Sequence, residues 1–146
     1  MAIITLCTLL ISQCHKDSVC TVQMATCIDV ATEAVGAGVD PALAASLGWH
    51  ETRLRPGLTS KAGAKGPLQA IPRFWCKSEP CNYTKAGLRA LKHYMNKEPT
   101  VTRAICRYNA GTCIPKAWEF AESVVRLRDQ TRKIMETNEQ HSQSEQ

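Results

Sequence analysis

The chain has 146 residues, 44% apolar and 21% charged, with a net charge of +5 and eight cysteines. That is one domain's worth of an ordinary soluble globular protein, long enough to bury a real core. Aromatics at 5% leave no broad stacking platform for single-stranded nucleic acid, so nucleic acid is not an expected partner. The mild basicity favours an anionic polymer without choosing one.

Residues 2–12 are an apolar run, too short to span a bilayer, which takes ~20 residues. It resembles the apolar part of a secretory signal, but no Lys or Arg precedes it and no clear small-x-small cleavage site follows. Membrane contact through this run is one reading. The preferred one comes from cysteine positions. Cys7, Cys14, Cys20 and Cys27 are symmetric about Asp17, as rungs of an antiparallel helical hairpin must be. Cys14 with Cys20 and Cys7 with Cys27 would then pair across a turn at His15-Lys16-Asp17-Ser18. Pairing within one helix is disfavoured, because seven residues at ~1.5 Å each come to ~10 Å, beyond disulfide reach.

From Ser18 to Val35 the apolar positions mostly follow helical spacing, and Gly36 and Gly38 stop that helix. Asp40 and Pro41 carry a helix start signal for the next, which runs to about Arg53 before Pro56-Gly57. Leu43, Leu47, Glu51 and Leu54 share one face of it, so a carboxylate sits in the apolar stripe. Burial raises a carboxyl pKa, as a general acid working near neutral pH requires. The bland alternative has Glu51 ending the helix and turning into water.

Residues 58–72 read as a Gly/Pro-rich loop with at most a short helix, and Cys76 and Cys81 stand at the ends of a loop short enough to bridge. Helices are expected over Thr84–Asn96 and from about Thr100 to Tyr108, breaking at Asn109-Ala110-Gly111. A bridge between Cys106 and Cys113 would pin that break. Pro115 opens a last helix carrying Ala117, Phe120, Ala121, Val124, Leu127 and Ile134 toward a core, and residues 136–146 read as a disordered polar tail. No segment alternates as a strand. The fold class is therefore all-α, with five or six disulfide-stapled helices. Eight cysteines place it in an oxidising compartment: periplasm, cell exterior or virus particle. No Cys-x-x-Cys pair occurs, so no metal is expected, and nothing calls for a cofactor.

Glu51 is the only carboxylate between Asp40 and Glu79. Glycoside cleavage usually uses two carboxylates; a site with one suits a substrate that supplies its own nucleophile. Glu51, Ser60 nine residues on, Gly63-Ala64-x-Gly66-x-Leu68-Gln69, Pro72 and Tyr108-Asn109-Ala110-Gly111 together resemble the soluble lytic transglycosylase family. The similarity runs from about Val35 to Ile114 and implies a lysozyme-like catalytic domain over residues 35–135, with residues 1–34 as an N-terminal apolar segment and first helix.

The resemblance implies cleavage of peptidoglycan glycan strands between N-acetylmuramic acid and N-acetylglucosamine. Glu51 would protonate the glycosidic oxygen, then deprotonate the muramoyl C6 hydroxyl as it closes on C1, giving a 1,6-anhydro end. Ser60 would contact substrate near the scissile bond, and Gly66 and Gln69 would line the glycan groove. Tyr108 would orient the glutamate and the N-acetyl group, and Asn109 would help hold the turn. Thr52 stands where the family usually has Ser, and Pro67-Leu68-Gln69 where it has Leu-Met-Gln, which removes one N–H donor. Trp49-His50 has no counterpart, and His50 reads as a surface or core histidine rather than a catalytic one. Local wall opening by a phage particle or an envelope-spanning secretion machine is the expected setting, with virion or secretion-complex proteins as further partners. The alternatives are a hydrolytic muramidase on the same fold and a non-catalytic glycan-binding or structural component.

Overall fold

In the computed structural model, which describes residues 2–145, the chain is all-helical: α1 Ile3–Leu10, α2 Asp17–Ala37, α3 Pro41–Thr52, α4 Pro72–Trp75, α5 Tyr83–Lys97, α6 Val101–Ala110 and α7 Pro115–Ser144. Seven helices stand where five or six were expected, the unread one being the single turn α4 that Pro72 opens. Among the described residues the only β pairing is two isolated bridges, Thr59 with Lys65 and Lys65 with Ala70, which crimp the loop between α3 and α4.

The core centres on α3. Its start is set by Asp40, whose Oδ1 accepts the Ala42 N–H at 3.0 Å ahead of Pro41. Every residue from Ala42 to Gly48 is buried, so this helix is enclosed on all sides rather than striped. Leu43, Ala44 and Leu47 enter the larger cluster with Val30, Leu68, Leu88, Leu91, Ile105 and Val124. Ala42 and Ala45 enter a second cluster with Leu6, Leu10, Cys27, Leu54 and Met135.

All eight cysteines pair: Cys7 with Cys27, Cys14 with Cys20, Cys76 with Cys81, and Cys106 with Cys113. The first two are the rungs of an α1–α2 hairpin, and they bring the fully buried Leu6 and Cys7 against Cys27 and Ala31. Four disulfides fit an oxidising, extracytoplasmic setting. No helix among the described residues is long and apolar enough to cross a membrane.

Several local expectations change. The boundary drawn at residue 34 falls inside α2, whose Val30 and Ala34 belong to the larger cluster. Val19, Val22 and Val35 are exposed, because the buried face of α2 runs through Gln23, Cys27, Val30 and Ala34. Leu54 is off the α3 helix: Arg53 and Leu54 both take positive φ, 55° and 57°, and fold Leu54 back over Gly48 into the second cluster. The chain turns there, before Pro56-Gly57. The α6 helix runs through Asn109 and Ala110 and stops only at Gly111, at φ 76°. Residues 136–144 continue α7 instead of forming a disordered tail. Helix propagation from a packed stem adds a hydrogen bond per residue without a new nucleation cost, so a polar sequence can continue it. In that stem the buried residues Thr131 and Met135 follow each other at four-residue spacing, which leaves Ile134 exposed.

The Cys7–Cys27 rung closes 20 residues. Replacing both cysteines by Ala is expected to lower unfolding free energy by about 3 kcal/mol in a denaturant titration, with unchanged helix content by circular dichroism.

Candidate functional site

The C-terminal turn of α3 delivers Glu51 to a cleft of about 520 Å³ whose walls come from the 58–71 loop, α4, α5 and the end of α6. Glu51, Ser60, Gln69, Tyr108 and Asn109 all line it, so the structure gathers five of the six expected site residues. Gly66 is the exception. At φ 83° its missing side chain leaves room for Tyr83, whose Cβ would lie 2.6 Å from an added Cβ, so it shapes the loop from behind.

Among the described residues Glu51 is the only carboxylate lining the cleft, and it is largely buried there. Burial pushes its pKa up to about 7, against a smaller downward pull from the hydrogen bond of the Asn109 side chain. Asn109 thus stands beside the acid, in the turn it was expected to help hold. Tyr108 does the holding. Its hydroxyl donates to the Leu68 carbonyl across 40 residues of chain. Burial, and then the nearby Glu51 carboxylate, keeps its phenol well above the usual tyrosine pKa, so it stays a neutral donor.

The loop is built by its own side chains. Ser60 Oγ accepts the Ala64 N–H at 3.0 Å, and Gln69 Nε2 donates to the Leu58 and Gly66 carbonyls at 3.1 Å each. Gln69 has φ 56°, a strained value for a side-chain-bearing residue. Its donor capacity is spent on the loop, which leaves its carbonyl oxygen for a ligand. Thr52 joins the loop to α3, its hydroxyl donating to Pro67 C=O at 2.9 Å and accepting the Arg55 N–H at 3.2 Å.

Sequence reasoning missed the aromatic and cationic wall. Phe74, Trp75 and Tyr94 line the cleft with Tyr108, half of the chain's Phe, Trp and Tyr residues. Phe74 is 61% exposed, unusual for so apolar a side chain. Trp75 packs edge-on to Tyr94 at 6.2 Å, and Tyr94 to Tyr108 at 6.5 Å. The adjacent pair Phe74-Trp75 in an aromatic-poor sequence was the available signal. Among the described residues Arg107 is the one cation in the lining; its Nη1 meets Glu98 at 2.6 Å and its Nε donates to Gly111 C=O at 3.2 Å. His50 lies outside the cleft, edge-on to Phe120 at 6.2 Å, with its pKa lowered by burial and then by Arg53. Among the described residues no three His, Cys, Asp or Glu side chains group as metal ligands.

Chemically, this is a proton donor at neutral pH in a cleft with sugar-sized aromatic faces and hydrogen-bonding edges. Glu51 should titrate near pH 7 by carboxyl carbon NMR, and higher in Asn109→Ala, which removes the bond that favours the charged form. The same shift affects stability. A carboxyl whose folded pKa lies above its unfolded value stabilises the fold below about pH 4.5 and loses that contribution as pH rises through about 7. Glu51→Gln is therefore expected to be more stable than the parent by up to about 3 kcal/mol at pH 8, the gap closing toward pH 4.5 in parallel denaturant titrations.

Comparisons of the chain with known protein families, with curated proteins and with solved structures return no match.

Proposed function

We propose that this chain is a lytic transglycosylase of bacterial peptidoglycan, with a lysozyme-like arrangement of helices around one acid. The observation that carries the reading is Glu51: a carboxyl held near pKa 7 by burial, with no second carboxylate lining its cleft among the described residues. A protonated Glu51 donates to the glycosidic oxygen between N-acetylmuramic acid and N-acetylglucosamine as the C1–O bond breaks. The resulting carboxylate takes the proton of the muramoyl C6 hydroxyl while that oxygen bonds to C1. One group then acts first as acid and then as base, and water is not consumed. The motif resemblance of Ser60, Gly63-Ala64, Gln69 and Tyr108-Asn109-Ala110-Gly111 supports the same reading, as does the convergence of all of these but Gly63 on the cleft.

The sole carboxylate favours this over a hydrolytic muramidase, whose water would lack a base or the sugar a nucleophile. Local opening of the wall, by a phage particle or an envelope-spanning machine, is the proposed setting, and the disulfides agree with an extracytoplasmic one.

Digestion of purified peptidoglycan followed by mass spectrometry tests the reading. Anhydro-muropeptides from the parent, reduced at least about 100-fold in Glu51→Gln, are expected. Reducing ends would assign the chain to hydrolysis, and no cleavage by the parent would leave a glycan-binding or structural role. Because the acid must be protonated in the free enzyme, kcat/KM should be level at lower pH and fall as pH rises through about 7.

A further inference from the structure

A second cleft, of about 480 Å³, lies between the α1–α2 turn and the C-terminal end of α3. Lys16, Arg53 and His15 line it, together with Trp49, Val19 and Gln23. Lys16 and Arg53 are exposed and make no ion pair among the described residues. The acidic residue next in sequence, Asp17, opens α2 and is not part of the lining. Two basic side chains thus line one hollow, with no carboxylate in its wall among the described residues.

The hollow is held in shape by its own contacts. Cys14–Cys20 closes the turn that carries His15 and Lys16. Arg53 reaches the hollow because its backbone takes φ 55°, and its guanidinium lies 4.9 Å from the centroid of the Trp49 ring. Gln23 is 6% exposed and locks that backbone, Nε2 donating to Arg53 C=O at 2.9 Å. The other end of the same amide is unpartnered: Gln23 Oε1 is buried with no donor in reach. A buried acceptor without a donor is costly and uncommon.

We propose that this hollow is a second binding site, for the carboxylate end of a short peptide. The charges of Lys16 and Arg53 suit the carboxylate, and the Trp49 and Val19 walls suit aliphatic side chains. Inorganic phosphate meets only the first of these. The volume suits a peptide rather than a lone ion. The site also gives a role to Trp49, which the catalytic reading leaves without one, and it does not depend on that reading.

The test is a titration of the full chain, by calorimetry or amide NMR, with three probes: N-acetyl-alanyl-alanine, its C-terminal amide, and inorganic phosphate. Saturable binding of the acid is expected, with the amide and phosphate each at least about tenfold weaker. Lys16→Glu with Arg53→Gln should lose at least about tenfold; both side chains are exposed, and Lys16→Glu alone gives a milder case of the same sign. Glu51→Gln should bind like the parent. No saturable binding, equal binding of the amide or of phosphate, undiminished binding by the double variant, or loss in Glu51→Gln would each overturn the proposal; the last would place the peptide in the catalytic cleft.

Discussion

The arrangement depends on how Leu68 is held. Its side chain is fully buried between two helices at the two places where they lack a side chain: an added Cβ would lie 2.6 Å from it at Gly87 and 3.4 Å at Gly48. Its carbonyl accepts the Tyr108 hydroxyl, and the preceding carbonyl, of Pro67, accepts Thr52. Helices α3, α5 and α6 therefore converge on two consecutive residues of an otherwise irregular loop. A buried leucine contributes about 2 kcal/mol, and satisfied buried hydrogen bonds add to it. This offsets part of the cost of the left-handed backbone at Arg53, Leu54 and Gln69, which is about 1–3 kcal/mol per residue. The strain brackets Glu51 on one side and the loop facing it on the other. Packing at Leu68 holds what local preference would not.

The electrostatics follow from the same placement. A cation close to Glu51 would lower its pKa and undo the effect of burial. The cleft does contain one, Arg107, yet it does not figure among the influences on Glu51. Its charge is matched by Glu98, which Arg103 also grips at 3.0 Å. The acid is left with Asn109 as its polar neighbour, a neutral amide that tempers the shift without reversing it. Tyr108, kept neutral, adds no competing charge.

The parts of the fold legible in the sequence are those with a short-range physical signature. Asp40-Pro41 announced α3, and the symmetric cysteines announced the hairpin, because helix geometry turns constant sums into facing positions. Glu51 stood out as a carboxylate in an apolar context. What could not be read was fixed by distant packing. Nothing in Arg53-Leu54 signals positive φ, since only the pull of Leu54 into the second cluster makes that turn favourable. Gly66 resembled a groove residue, and only its distance to Tyr83 shows the constraint it answers. The contribution of Phe74 and Trp75 depends on where α4 is docked, and four residues carry no periodicity to reveal it.

The disulfides have a further consequence when considered by span. Three of the four close loops of only 5, 6 and 7 residues, and the fourth, of 20, encloses one of them. None joins the amino-terminal half of the chain to the carboxyl-terminal half. Short closures remove little entropy from the unfolded chain, so three of them act as local clamps on turns more than as ties across the molecule. Each bridge joins neighbours along the chain and can form as its own segment emerges, with no distant cysteine to wait for. A protein built this way can be oxidised piecewise and assembled afterwards, its halves joined by non-covalent contacts such as the Tyr108 hydrogen bond to Leu68 C=O and the ion pairs of Asp40 with Arg128 and Arg132.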